Sequence, residues 1–183
     1  MSEKELIIGC QQNDSKSQTA FYHKYKGRLM GVCRRYARNT AEAEDILQEA
    51  FIKIFKNIAE IRNPEAILAW LRKIVTNTAI NYYRTKTIYQ QTTDYEVITH
   101  SNDEYWQLMA HLSTEEITRL INALPDGYRM VFNLYVIDGY DHAEIAQMLD
   151  ISENTSRSQL FKAREVLKKK LKELGIVSYE KHT

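Results

Sequence analysis

A chain of 183 residues, 44% hydrophobic and 27% charged, has the composition of a globular protein of one or two small domains. Its 25 lysines and arginines stand against 24 acids, so the net charge of +1 excludes a uniformly basic surface. Only local clusters can then mark an anionic partner. Six glycines and two prolines interrupt the chain, which predicts long helices.

The opening MSEKELIIGC lacks a basic segment followed by a long apolar run, so no signal peptide is expected. No stretch approaches eighteen apolar residues, so no membrane insertion and a cytoplasmic location are expected. Cys10 and Cys33 are expected to be reduced thiols, and no His/Cys spacing predicts a metal site or cofactor.

In chain order, a short amphipathic helix is predicted from Glu3 to Cys10. A second runs from Ala20 to Ala37, with Phe21, Tyr25, Leu29, Val32 and Tyr36 recurring every three or four residues. Thr40 is the predicted N-cap of a third helix, which reaches about Ile58, with Glu42 and Glu44 where the helix dipole favours acids. Pro64 opens a fourth helix that extends to about Arg84. The polar, Thr- and Gln-rich segment 87–113 loses periodicity and is predicted as a linker. Beyond it come a helix from Thr114 to Leu124, a turn at Pro125-Asp126-Gly127, and helices over Tyr128–Ile137, Asp141–Leu149 and Glu153 to about Leu174. Gly139 is the predicted C-terminal cap of the first of these three. The expected fold class is therefore all-α, with two small helical domains joined by a linker. The predicted boundaries are 1–86, 87–113 and 114–183.

Three helix faces carry more than packing. In DILQEAFIKIF, Ile46, Leu47, Ala50, Phe51, Ile54 and Phe55 share one side of the third helix. Asp45, Gln48, Glu49 and Ile52 share the other, where carboxylates around an apolar anchor suit a protein partner's arginines. The fourth helix packs through Ile67, Trp70, Leu71, Ile74, Val75 and Thr78. Its outer face is predicted to carry Arg72, Lys73, Thr76, Asn77, Ile80, Tyr83 and Arg84, with Asn81 and Tyr82 near the boundary. Positive charge, amides and an aromatic ring together suit a single strand or an opened duplex.

The third face belongs to GYDHAEIAQMLDISENTSRSQLFKAREVLKKKL. A short helix, the turn Asp150-Ile151-Ser152 and a long helix capped by Ser152 have helix-turn-helix arithmetic. Leu160, Ala163 and Leu167 predict the buried side of the long helix. Asn154, Arg157, Ser158, Phe161 and Lys162 predict its open side, with Gln159 and Arg164 on the flanks. Seven lysines and arginines between 153 and 172 oppose only Glu153 and Glu165, a net of +5. Such a face neutralises duplex phosphates while Arg, Gln, Ser and Asn reach base edges. His142 is expected to be a surface or capping residue. No nucleophile–base pair, phosphate-cradling glycine loop or metal spacing is present, so an enzyme is not expected.

With these motifs in place, the chain resembles bacterial RNA polymerase sigma factors of the small extracytoplasmic-function group. The resemblance spans roughly residues 5–84 and 114–172. The family's Asp-x-x-Gln-Glu-x-Phe stands here as Asp45, Gln48, Glu49 and Phe51. The resemblance implies docking on the β′ clamp helices of core polymerase. The family's Trp-Leu-x-x-Ile followed by Asn stands as Trp70, Leu71, Ile74 and Asn77. It implies capture of the −10 element on an opened strand, with a flipped base and Asn77 at the base-contacting position, supported by Arg72, Lys73, Asn81, Tyr83 and Arg84. The C-terminal string resembles the region that reads the −35 element and contacts the β flap. Gln159 stands where many members carry Arg, and Ser156 where many carry Val. The implied partners are core polymerase, promoter DNA and an anti-sigma factor. An ordinary helix-turn-helix regulator with an N-terminal interaction domain is the alternative. It needs neither the acidic face nor the Asn77 helix.

Overall fold

The computed structural model describes residues 2–61, 63–87 and 112–175, and the backbone of these residues is helix and short connections. The chain divides into two compact units, Met1–Thr85 and Lys86–Thr183. Most of the linker predicted over 87–113 lies outside the described residues.

The first unit opens with α1 (Glu3–Gln11), held by a capping box in which Ser2 and Glu5 satisfy each other's backbone N–H groups. α2 (Ser15–Tyr36) begins five residues earlier than its apolar periodicity predicts. Asp14 supplies the reason: its carboxylate accepts the Ser17 N–H at 2.8 Å and the Ser17 hydroxyl at 2.6 Å. A cap can start a helix well before the first buried side chain. The crossing of α1 over α2 is tight, since a Cβ at Gly9 would lie 2.1 Å from Ser17 Oγ. α3 (Thr40–Asn57) is capped by Asn39 rather than Thr40, with Asn39 Oδ1 accepting the Glu42 N–H at 2.9 Å. Two 3₁₀ turns, Ile58–Glu60 and Pro64–Ala66, lead into α4 (Ile67–Thr87). Gln11 donates from its amide to the Ile58 carbonyl at 3.1 Å, which closes the unit's beginning onto its middle.

α2 packs on both α1 and α3. Phe21 is wholly buried; its ring centroid lies 4.6 Å from that of Tyr25 and 5.9 Å from that of Phe55. Phe51 completes the cluster at 4.6 Å from Tyr22. Each such ring removes enough apolar surface from water to stabilise the fold by about 2–3 kcal/mol.

The second unit starts with α5 (Thr114–Asn122), capped by Ser113 and Glu116. α6 (Asp126–Phe132) then begins where a free-standing turn was predicted. Pro125 sits at the cap position and its carbonyl accepts the Arg129 N–H at 2.9 Å, so Asp126 and Gly127 form the first turn of a helix. The helix widens over Asn133–Ile137 and stops at Gly139, whose φ of +80° suits the residue after a helix. α7 (His142–Leu149) is capped by Asp141, and α8 (Glu153–Glu173) by Ser152. Asp150 ends α7 in the left-handed conformation (φ 57°, ψ 50°), which Asp tolerates better than most residues. α8 packs on α5, α6 and α7 through Ser156, Leu160, Ala163, Leu167 and Leu171.

Candidate docking and nucleic-acid interfaces

The acidic face of α3 is formed as its spacing predicts. Asp45, Gln48 and Glu49 are exposed, and Ile52 is 58% exposed although it is fully apolar. Phe51 lies behind them in the core, 4% exposed. Glu49 pairs with Lys53 at 2.6 Å, and Lys53 also donates to the Thr78 hydroxyl of α4 at 3.4 Å. An isolated exposed isoleucine is common, but Ile52 continues the exposed line of Asp45, Gln48 and Glu49 and so has the composition of an apolar anchor beside a polar rim.

On α4, Arg72, Lys73, Asn77, Asn81 and Arg84 are exposed, and Tyr83 is half-buried. Thr76 and Ile80, predicted to face outward, are 3% exposed each. They follow the buried Val75 and Ala79 by one residue. A helix sunk among neighbours buries a wider arc than the one-sided stripe assumed for a surface helix. The open face is thus narrower and more polar than predicted.

On α8, Asn154 and Arg157 are exposed, and Phe161, Lys162 and Arg164 are half-buried. Arg157 is held by Glu153 at 3.3 Å, one turn back. Ser158 is a correction: it was predicted to face DNA and is 8% exposed. α6 packs on α8. Gln159 leans toward α6. A Cβ at Gly127 would lie 3.0 Å from its amide oxygen and 3.1 Å from its amide nitrogen, so the Gln159 head rests over the glycine that opens α6.

His142 was not assigned a partner from sequence. It is the first residue of α7, half-buried, with Nδ1 at 2.9 Å from Ser156 Oγ and its ring stacked on Tyr135 (centroids 4.5 Å apart, planes at 21°). This contact explains why a hydroxyl occupies a wholly buried position of α8. Burial chiefly, then the charges of Arg157 and Arg164, push the His142 pKa below its ordinary value. The only advance signal was one polar residue on each side of the same turn, fourteen positions apart.

Cys10 and Cys33 are free and buried, and burial pushes their thiols up to about 11 and about 12. Among the described residues, no three His, Cys, Asp or Glu side chains gather as metal ligands, and no helix is long and apolar enough to cross a membrane.

An exposed acidic face on α3, an exposed polar and basic face on α4 and a helix-turn-helix in the second unit suit a nucleic-acid-binding protein of two helical units. Residues 21–88 match the model of sigma-70 region 2, and residues 114–167 match that of sigma-70 region 4. The ECF RNA polymerase sigma-E factor of Escherichia coli K12 is 28% identical over 95% of this chain and 96% of its own. Its counterpart in Haemophilus influenzae is 28% identical over 95% and 97%. The sigma factor RpoE of Bartonella quintana, solved in complex with the anti-sigma factor NepR, shares the fold. Its TM-score is 0.50 at 18% identity, over 84% of this chain and 97% of that one.

The chain belongs to the sigma-70 family, as a sigma factor of the extracytoplasmic-function group. It acts in promoter-specific transcription initiation and is not an enzyme.

Proposed function

We propose that the N-terminal unit docks on the β′ clamp helices of core RNA polymerase through Asp45, Gln48, Glu49 and Ile52. The same unit holds the opened −10 element with Arg72, Lys73, Asn77, Asn81, Tyr83 and Arg84. The C-terminal unit reads the −35 duplex with Asn154 and Arg157, while Phe161, Lys162 and Arg164 support the backbone contact and a further surface meets the β flap. One observation carries the reading: the acids of α3 and the cations of α4 occupy separate exposed faces within one unit. The acidic face repels DNA phosphates and so needs a protein, whereas the basic face attracts them.

Opening a duplex and extruding a base costs a few kcal/mol, which stacking on Tyr83 and edge contacts from Asn77 offset. Differential binding is all that this work requires. It takes place in the cytoplasm, and an anti-sigma factor that covers these faces keeps the chain silent until it is released. The fold shared with a sigma factor solved in complex with an anti-sigma factor supports that last step.

The test is co-elution of the full chain with core polymerase, followed by transcription from a pool of promoters. The wild-type chain is expected to co-elute and to initiate selectively. Asp45→Arg combined with Glu49→Arg is expected to weaken polymerase binding at least tenfold with an unchanged unfolding midpoint, because both side chains are exposed. Sequence-specific DNA binding without polymerase would favour a helix-turn-helix regulator instead.

A further inference from the structure

α2 packs the core through one side, and the charged residues of its outer side are all positive. No acid stands between Asp14 and Glu42, while Lys16, Lys24, Lys26, Arg28 and Arg34 are all exposed. Lys24 reaches Glu3 of α1 at 2.9 Å, and Lys26 lies 5.3 Å from the centre of the Tyr22 ring. Ala20, Gly27 and Gly31 line up along the helix, with Lys16 and Arg34 on one side of the line and Lys24 and Arg28 on the other. Both glycines sit in the helix interior, where Gly is disfavoured relative to Ala. Neither has a packing reason, because a Cβ at either would meet no atom within 4 Å. The result is a low floor of bare backbone with lysines and arginines on both sides.

We infer that this α2 face is a sequence-independent seat for the phosphate backbone of promoter DNA, additional to the contacts made by α4 and α8. Phosphates favour a face where cations outnumber carboxylates; the one acid that reaches these cations, Glu3, is tied to Lys24 and Tyr25, and a floor without side chains lets a strand approach closely. An acidic partner helix is the competing occupant. DNA is favoured because the same unit already turns the cations of α4 outward, and α2 itself carries no acid. The inference rests on the sigma-factor reading but adds a surface that the promoter-reading residues do not include.

The test uses holoenzyme assembled from core polymerase and the full chain, with promoter affinity measured across a salt series. Arg28→Gln with Arg34→Gln is expected to leave polymerase assembly intact. It should lower the slope of log affinity against log salt by about 2, equally for different promoters. Gly27→Leu with Gly31→Leu keeps every charge and has open space for the new side chains. It is expected to fold normally, assemble normally and weaken promoter binding severalfold. An unchanged salt slope in the first variant, or unchanged promoter affinity in the second, overturns the inference and leaves the sigma reading standing. So does loss of polymerase assembly in the folded first variant, which would make α2 a protein-docking face. A wild-type chain that never assembles with polymerase overturns both readings.

Discussion

The two units build their interiors differently. In the N-terminal unit, long helices α2 and α3 enclose aromatic and aliphatic side chains, and among the described residues the buried polar ones are the hydroxyls Ser17, Thr76 and Thr78. In the C-terminal unit, α6 and α7 have seven and eight residues. Buried among them are Arg129, Asn133, Ser156 and Ser158. Arg129 pairs with Asp126 at 2.7 Å and donates to the Leu124 carbonyl at 3.2 Å, and Asn133 donates to the Arg129 carbonyl at 3.0 Å. Short helices offer little apolar area, so directional polar contacts take a larger part in holding their angles. A unit built that way loses more when one partner is removed than its apolar content suggests.

The largest effects come from breaking each interior by its own route. Phe21→Ala is expected to destabilise the N-terminal unit by about 4 kcal/mol. Asp126→Ala leaves the Arg129 guanidinium, 3% exposed, without its carboxylate and should cost the C-terminal unit about 3 kcal/mol. Native-state hydrogen exchange reads the units separately: the first variant should speed exchange in α2, and the second in α6 and α8. A loss under about 1 kcal/mol for Asp126→Ala would dissolve the contrast, since breaking a buried pair costs more than that.

A smaller effect separates the residues of α8. Arg157→Ala is expected to cost about 1–3 kcal/mol in −35 duplex binding by holoenzyme. Gln159→Ala should cost under about 0.5 kcal/mol, because its half-buried amide lies against Gly127. Equal losses in a titration would show that Gln159 swings out onto DNA.

The smallest effect is a pH dependence. The folded unit holds the His142 pKa below the unfolded value of about 6.5. Below that pH the unfolded chain takes up a proton that the folded chain resists, so stability falls on acidification and is fully present above it. His142→Gln should flatten the melting temperature of the C-terminal unit between about pH 7.5 and pH 5.5. Equal slopes in wild type and variant would remove His142 as the titrating group. Glu3 is held below the usual carboxylate range, first by the Tyr25 hydroxyl and then by Lys24. Its contribution is lost only at lower pH, so it does not obscure this window.

Helix positions, the helix-turn-helix and the acidic face of α3 were determined by the sequence alone. A 3.6-residue period in long helices needs only local information, and Asp45, Gln48, Glu49 and Ile52 fall opposite a continuous apolar stripe. The open residues of α4 were legible for the same reason. Helix starts were less so. Asn39 caps where Thr40 was expected, and Asp14 starts α2 five residues before Ala20, because a cap need not adjoin the first apolar residue. Only the tertiary structure decided the burial of Thr76, Ile80 and Ser158, the seating of Gln159 on Gly127, and the bond from His142 to Ser156. Each depends on which neighbouring helix covers that angle. A single helix's periodicity carries its own face but not the shape of what packs against it.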